Sequence, residues 1–279
     1  MTGIAFNPSL TLNDGAAIPQ LGLGTWQTPA SEAAASVAAA LRAGYRLVDT
    51  AAIYGNENGV GDGLRESGLA REQYFVTTKL WNDHQGYDEA LRAFDDSLKR
   101  LRLDYVDLYL IHWPAPRQNR YLDSWRALIR LKEEKRARSI GVSNFQVPHL
   151  ETIVAETGVT PAVNQIELHP DFQQKGLQTY HAARGIRTQS WSPLGQGALL
   201  GSGTVREIAA KHGKTAAQTL IRWHLDNGLL VIPKSVHADR ITENFAVFDF
   251  TLDDDDMARL AALDGIGNRI GPNPDTATF

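Results

Sequence analysis

Side chains that can transfer a proton lie at or near the ends of three apolar runs in the sequence. The four candidates, in chain order, are Asp49, Tyr54, Lys79 and His112. An aspartate and a lysine at neighbouring strand ends can form a buried ion pair, which keeps the lysine protonated. A protonated lysine beside a phenol favours the phenolate and lowers the tyrosine pKa from about 10. We therefore expect Tyr54 to donate a proton near neutral pH and His112 to hydrogen-bond the same substrate oxygen.

The elements that must position these residues repeat along the chain as short apolar runs separated by helical patterns. The runs cover residues 20–24, 45–49, 75–79, 106–112, 139–143, 162–166, 186–191 and 229–234. Most of the spacings between their ends match one strand-and-helix repeat. Alternation of this kind favours a parallel sheet, because each return crossover requires a helix. Eight repeats predict an α/β fold, a closed (β/α)8 TIM barrel, with an open doubly wound sheet as the competing architecture.

The segments between the runs carry the hydrophobic period of helices. Clear examples lie at residues 31–43, 122–135, 204–212 and 215–226. The acidic run 253–256 is typical of the first turn of a helix, where negative charge is stabilised by the helix dipole. We therefore expect extra helices towards the C-terminus, beyond those that the barrel itself requires.

The ends of the chain differ from this repeat. The turn sequence Asn13-Asp14-Gly15 between alternating apolar residues predicts an N-terminal β-hairpin within residues 1–19. Residues 264–279 carry no strong pattern and are expected to form a tail. No linker-like segment divides the sequence, so we predict a single domain over residues 1–279.

Composition argues against several classes of protein. The formal charge of −4 gives no broad basic field for nucleic acid or for an anionic membrane surface. The absence of cysteine excludes disulfides, thiolate catalysis and cysteine-ligated metal sites. No apolar run approaches the length of a membrane span, and the first residues lack the pattern of a leader peptide. We expect a cytoplasmic protein.

Polar and aromatic side chains occupy the predicted strand ends far more often than a purely structural barrel needs. The active site of a TIM barrel lies at the carboxyl ends of its strands, so such residues are candidates for function. They are Asp49, Lys79, His112, Ser143, Gln165, Trp191 and Lys234. One or two polar pairs at this rim could be structural, but seven of eight strand ends indicate a site.

Several motifs resemble those of the aldo-keto reductase superfamily. They are Gly44-Tyr45-Arg46-Leu47-Val48-Asp49-Thr50-Ala51, Tyr54-Gly55-Asn56-Glu57, Lys79-Leu80-Trp81, Gly141-Val142-Ser143-Asn144-Phe145, Asn164-Gln165, Ser192-Pro193-Leu194-Gly195 and Ile232-Pro233-Lys234-Ser235. The resemblance extends from about residue 10 to residue 263 and is greatest to the bacterial branch that includes 2,5-diketo-D-gluconate reductase. It implies a monomeric enzyme that reduces aldehydes or ketones to alcohols with NADPH.

The resemblance also implies a role for each matching residue. Tyr54 would be the general acid, tuned by Lys79 and Asp49, and His112 would orient the carbonyl group. The predicted cofactor-binding residues are Ser143, Asn144, Gln165, Trp191, Ser192, Leu194, Lys234, Ser235, Val236, Arg240, Glu243 and Asn244. Of these, the first three would hold the nicotinamide carboxamide and Trp191 would stack on the ring. No metal is implied.

Two further groups of residues have a physical reason for their implied roles. Lys234, Ser235 and Arg240 offer two cations and a hydroxyl, which suit the 2′-phosphate of NADPH. The spacing of Lys234 and Arg240 predicts that Arg240 lies in the first turn of the following helix. Three tryptophans just beyond strand ends, Trp26, Trp81 and Trp113, are expected to form walls of the substrate pocket. Small carbonyl compounds, dicarbonyls and keto sugars are all compatible substrates.

Two hypotheses from other functional classes remain open at this point. A complete cofactor site could serve an NADPH-binding sensor that has little turnover of its own. A metal-dependent barrel hydrolase could instead use Asp49, His112 and His169, although the histidines show no metal-ligand spacing.

Overall fold

An antiparallel hairpin begins the part of the chain that the structure, a computed structural model, describes, namely residues 7–266 and 269–278. Strand β1 (Ser9–Thr11) pairs with β2 (Ala17–Pro19), with Leu10 opposite Ile18. The turn contains Gly15 at a φ of 86°, a conformation that glycine adopts without steric cost. The predicted hairpin is confirmed for residues 7–19, and residues 1–6 lie outside the described residues.

Eight parallel strands follow and form a single curled sheet, as the repeat pattern predicts. They are β3 (Leu23–Gly24), β4 (Leu47–Asp49), β5 (Phe75–Leu80), β6 (Val106–Ile111), β7 (Ala137–Ser143), β8 (Val163–Glu167), β9 (Arg187–Trp191) and β10 (Leu230–Val231). Each strand pairs with the next one along the chain. Parallel bridges from Leu21 to Val231 and from Gly24 to Lys234 join the first strand to the last. The sheet is therefore closed into a (β/α)8 barrel.

The first and last strands are shorter than the apolar runs that predict them. Residues 20–22 and 232–234 contribute single bridges and backbone hydrogen bonds rather than a continuous ladder. Pro233 has no N–H to donate, which limits regular pairing at this point, although its carbonyl oxygen accepts a hydrogen bond from Gly24.

Helices follow the strands and surround the barrel. They are α1 (Ala30–Ala43), α2 (Glu57–Glu66), α3 (Tyr87–Leu101), α4 (Tyr121–Glu133), α5 (Val147–Thr157), α6 (Lys175–Ala183), α7 (Gly203–His212), α8 (Ala216–Asp226), α9 (Ala238–Phe245) and α10 (Asp254–Ala261). The additional helices are α7, which precedes α8 between β9 and β10, and α10. Asp253 caps α10 by accepting a hydrogen bond from the Asp256 amide, so the acidic run does begin a helix. Within the described residues, no helix has the length and apolar character needed to cross a membrane.

The apolar side chains form two layers, one inside the barrel and one between the strands and the helices. On β6, Leu108 and Leu110 point into the barrel, whereas Val106, Tyr109 and Ile111 pack under the helices. Both faces of β6 are thus buried, and the other barrel strands are buried over most of their length, which explains the nearly continuous apolar runs of the sequence. The polar residues at the strand ends therefore stand on a rigid, closely packed support.

Candidate active site

Lys79 lies at the centre of the candidate site, near the end of β5, with its side chain fully buried. Its ammonium group forms an ion pair with Asp49 at the end of β4. It also donates to the Thr50 carbonyl oxygen at 2.9 Å and to the Tyr54 hydroxyl at 3.3 Å. All three N–H groups of the ammonium therefore have an acceptor, and the structure contains the predicted Asp49–Lys79 ion pair.

The charges of this group determine which side chains can release a proton. Burial acts to lower the pKa of Lys79, but Asp49 and Tyr54 raise it overall, so the ammonium stays protonated. Burial raises the pKa of Tyr54, Lys79 opposes this effect, and the Asp49 carboxylate adds to it. The net pKa of Tyr54 is above its usual value, so the expectation of a lowered pKa is wrong. Asp49 offsets much of the charge of Lys79, and the sequence does not reveal how deeply the phenol is buried.

His112 lies directly after β6 and is held neutral by its surroundings. Burial and the nearby Lys79 ammonium both lower the pKa of its imidazole well below the usual value. Its ring makes edge-to-face contacts with Trp81 and Tyr54, with centroids 5.2 and 5.6 Å apart. Nδ1 is buried without a hydrogen-bond partner among the described residues. A neutral imidazole carries one N–H, so this histidine can donate a single hydrogen bond.

A cavity of about 630 Å³ opens above these residues at the carboxyl end of the barrel. Its lining includes Asp49, Tyr54, Trp26, Trp81, His112, Trp113, Asn144, Gln165, Trp191, Ser192 and Lys234. All three tryptophans that the sequence assigns to substrate are among them, and Trp26 is 44% exposed at the mouth. Lys79 lies behind the wall, where it contacts the lining residues Asp49 and Tyr54. The structure thus brings three of the four predicted proton-transfer residues to one cavity surface, with the fourth beneath it.

A second group of polar side chains lies beside the first. Trp191, at the end of β9, donates from Nε1 to Oδ1 of Asn144 at 2.8 Å. Asn144 has a left-handed backbone with φ of 63°, which turns its side chain back towards the barrel. The Ser143 hydroxyl donates to the Gln165 carbonyl oxygen at 2.7 Å. These hydrogen bonds fix the three residues relative to Trp191, and Ser143 supports the wall without lining it.

A second cavity, of about 480 Å³, continues from the first along the rim. Lys234 lines both cavities, so together they form one elongated groove. The predicted residues in the second cavity are Leu194, Lys234, Ser235, Val236, Arg240, Glu243 and Asn244. Arg240 is in the first turn of α9, as predicted from the spacing. Within the described part of the chain, neither Lys234 nor Arg240 forms an ion pair, so both cations are available to an anionic ligand.

Several lining residues have no signal in the sequence. Gln27 reaches the first cavity from a loop, Ile53 and Gln196 reach it from short 3-10 segments in the connections after strands, and Ile270, Gly271 and Pro272 reach it from the C-terminal tail. Loop residues have no period or strand end to mark them, and only a family alignment or a structure could have identified them.

Two of the three residues of the metal-site hypothesis are engaged elsewhere. Asp49 is paired with Lys79, while His169 lies against Glu167 and Asp171. Among residues 7–266 and 269–278, the acidic and histidine side chains close enough to share an ion are Asp253, Asp255 and Asp256 of α10. The structure therefore does not bring Asp49, His112 and His169 together as a ligand set.

Comparison with known proteins places the chain in a family. Residues 20–265 match the model of the aldo/keto reductase family. An aldo-keto reductase of Mycobacterium sp. (strain KMS) is 56% identical over 272 residues, with 98% of each chain covered. The methylglyoxal reductase DkgA of Escherichia coli (strain K12) is 52% identical, with 96% of this chain and 98% of the relative covered. A Gox0644 mutant in complex with NADPH has a TM-score of 0.95 at 51% identity, covering 98% of this chain and all of the other. The chain is a member of the aldo/keto reductase family.

Proposed function

We propose that this protein is an NADPH-dependent reductase that converts small aldehydes and ketones to the corresponding alcohols. The observation that carries the proposal is the contact of the Tyr54 hydroxyl with the Lys79 ammonium, 3.3 Å away, at the floor of a cavity lined by tryptophans. A phenol with a charged donor behind it and open space in front is suited to protonate a substrate oxygen.

The proton transfer follows from the electrostatics of this group. When the carbonyl carbon of a substrate gains a hydride, negative charge develops on its oxygen, which must then be protonated. The raised pKa of Tyr54 keeps the phenol protonated at neutral pH, so the proton is present when it is needed. As Tyr54 Oη gives up this proton, its growing negative charge is stabilised by the Lys79 ammonium. That stabilisation is greater in the transition state than in the ground state, which is the condition for a faster reaction.

His112 would position the carbonyl group. Because its pKa is lowered, the imidazole is neutral and does not compete with Tyr54 as an acid. Nδ1 is buried, so Nε2 is the ring nitrogen that is available to hydrogen-bond a ligand in the cavity. A hydrogen bond from Nε2 to the carbonyl oxygen would direct that oxygen towards Tyr54.

The groove fits a dinucleotide with one additional phosphate. Trp191 offers a flat apolar face beside the proton-transfer group, and Gln165 offers an amide at the same wall. Lys234, where the two cavities meet, and Arg240 in the second cavity supply two cations, and Ser235 and the first turn of α9 line the same cavity. Bound NADPH would supply the hydride. The two unpaired cations favour NADPH over NADH, which lacks the 2′-phosphate.

Small substrates fit the cavity best. Its walls are mostly aromatic and aliphatic, and Tyr54 and His112 are among the few polar groups that could orient a carbonyl oxygen. The 52% identity to a methylglyoxal reductase adds a specific candidate. We therefore propose dicarbonyls such as methylglyoxal, together with small aldehydes and keto sugars, as the substrate class.

The direct test is the oxidation of NADPH and of NADH by the purified protein with a panel of carbonyl compounds. We expect turnover with dicarbonyls and a preference for NADPH of about tenfold or more, since one or two hydrogen bonds to a charged group are lost with NADH. NADPH binding without turnover of any carbonyl in the panel would contradict the proposal and favour the sensor hypothesis.

A further inference from the structure

A buried carboxylate outside the proton-transfer group holds the C-terminal tail. Glu167 is the last residue of β8 and is fully buried. Its two oxygens accept hydrogen bonds from the backbone N–H groups of Ile270 and Gly271, at 2.5 and 2.9 Å. These contacts join residues more than a hundred positions apart in the sequence. A charge is costly to bury unless it is fully hydrogen-bonded, so this arrangement needs an explanation.

The tail residues that Glu167 holds form part of the substrate cavity. We call Ile270, Gly271 and Pro272 the tail wall. All three line the same cavity as Tyr54 and His112. The carboxylate therefore acts on the shape of this cavity through the backbone of the tail wall, although its own side chain is not among the lining residues.

The tail wall also contacts the indole of Trp191. Glu167 and Trp191 are opposite each other in the β8–β9 ladder. A Cβ atom at position 271 would lie 2.6 Å from Cη2 of Trp191 and 3.1 Å from Oε2 of Glu167. Only a glycine leaves room for the backbone to lie this close to both side chains. The tail wall thus fits closely between a fixed charge and the aromatic ring.

Neighbouring groups keep Glu167 in place and ionised. His169 lies 3.2 Å from Oε1 of Glu167 and also contacts Asp171. Burial acts to raise the pKa of Glu167, but hydrogen bonds from His169 and from the two tail amides lower it overall. The tail has a further contact here, since the Arg269 guanidinium lies 4.8 Å from the centre of the Phe172 ring.

We infer that Glu167 is a positioning residue for substrate binding: its carboxylate fixes the tail wall against Trp191 and so sets the size of the substrate cavity. The expected change in KM rests on the proposed carbonyl reductase function. The anchoring of the tail wall by Glu167 does not depend on that function. With the tail wall fixed, a small carbonyl compound is confined over Tyr54. With the tail wall released, the cavity is wider and such a substrate is held less well.

The test replaces Glu167 by glutamine, which has the same shape. A glutamine can accept from only one of the two tail amides, because its own nitrogen is a donor. In Glu167→Gln we expect hydrogen exchange of the Ile270 and Gly271 amides to accelerate by about tenfold or more. We expect KM for a small aldehyde to rise by about 5- to 20-fold, with kcat and the Kd of NADPH within about twofold. Gly271→Ala, which pushes the tail wall away from Trp191, should also raise KM for this aldehyde.

Thr276→Ala is the matched control, since this residue is exposed in the same tail and does not line the cavity. It should leave both the exchange rates of the two amides and KM unchanged. Unchanged KM in both Glu167→Gln and Gly271→Ala, with only a lower melting temperature, would overturn the inference and leave Glu167 with a purely structural role.

The exchange measurement separates this inference from the proposed function. If the wild-type protein reduces no carbonyl compound, the proposed function fails, and faster exchange of the two amides in Glu167→Gln would still support the anchoring of the tail. If the wild type is an active reductase and the amides exchange at wild-type rates in the variant, the anchoring fails and the proposed function stands.

Discussion

The side-chain nitrogen of Gln165 lies 2.7 Å from Oδ2 of Asp49, so the side-chain amide predicted to hold the nicotinamide is hydrogen-bonded to the carboxylate that pairs with Lys79. A carboxylate can only accept, which establishes that Nε2 is the atom facing it. The same nitrogen donates to Oε1 of Gln189 at 2.8 Å. Both of its hydrogens are used, and Oε1 is the polar atom of Gln165 left for a ligand.

This relationship predicts that Gln165→Leu affects cofactor binding and catalysis together. The change removes the acceptor proposed for the nicotinamide carboxamide and leaves Oδ2 of Asp49 without its amide partner. We expect the Kd of NADPH, measured by fluorescence titration, to rise by about 5- to 50-fold and kcat to fall. Gln189→Leu, which removes a hydrogen-bond partner of Gln165 but no cavity-lining group, should raise this Kd by a smaller factor. Equal Kd values for wild type and Gln165→Leu would count against this role.

The ion pair of Lys79 and Asp49 predicts separate effects on stability and on activity. In Lys79→Met, the Asp49 carboxylate stays buried without its counter-ion, so we expect the free energy of unfolding to drop by about 3 to 5 kcal/mol. The double variant Asp49→Asn with Lys79→Met should regain most of that stability, because neither charge of the pair is then buried. Activity should remain lost in both. Recovery of turnover in the double variant would show that Tyr54 does not need the ammonium.

Arg240 is predicted to recognise the 2′-phosphate of NADPH. Arg240→Ala removes one of the two cations of the second cavity, so the Kd of NADPH should rise by about 10- to 100-fold while that of NADH changes little. Isothermal titration with both cofactors measures this difference. Arg92→Ala, on the exposed surface of α3, is the matched control. A similar loss of affinity for both cofactors would show that Arg240 does not recognise the 2′-phosphate.

Two buried histidines away from the site predict the response of stability to acid. Burial lowers the pKa of His181 and of His224 to about 4. Nε2 of His181 must carry no proton, because it accepts a hydrogen bond from the side-chain nitrogen of Asn164. That nitrogen also donates to the carbonyl oxygen of Phe145. Between about pH 6.5 and 4 the unfolded chain binds protons that the folded chain does not. The part of the free energy of unfolding that depends on these neutral histidines is therefore fully present above pH 6.5 and is lost as the pH falls to about 4.

The loss should be about 2 kcal/mol for each histidine between pH 7 and pH 4.5. Urea unfolding at the two pH values measures it. The variant His181→Gln should be less stable than the wild type at pH 7 but should lose less stability on acidification. The same pH dependence in the variant and the wild type would contradict the assignment.

Much of the fold follows from the sequence because the barrel repeats one physical pattern. The barrel strands are buried over most of their length and each is followed by a helix, so the eight runs and their polar ends are visible without a structure. The stop of α1 at Gly44, with φ of 115°, is likewise a local feature. Local patterns of this kind are enough to predict the carboxyl-end rim of the barrel and the residues that lie on it.

The features that the sequence does not reveal depend on how deeply a side chain is buried and on contacts between residues that are far apart in the sequence. The net pKa of Tyr54 depends on how far the phenol is buried and on how completely Asp49 offsets Lys79, and neither is encoded in residue type. The tail wall is placed by Glu167, which no periodicity connects to residues 270 and 271. Asn144 is assigned to cofactor by its motif, but its hydrogen bond with Trp191 is known only from the structure.

The most direct measurement is single-turnover reduction of a dicarbonyl by Tyr54→Phe with NADPH already bound. The substitution removes the hydroxyl of the proposed proton donor and leaves the ring, so the rate should fall by about 10² or more while the Kd of NADPH stays within about twofold of wild type. A variant that reduces the substrate at close to the wild-type rate would contradict the account, since another group would then be protonating the carbonyl oxygen.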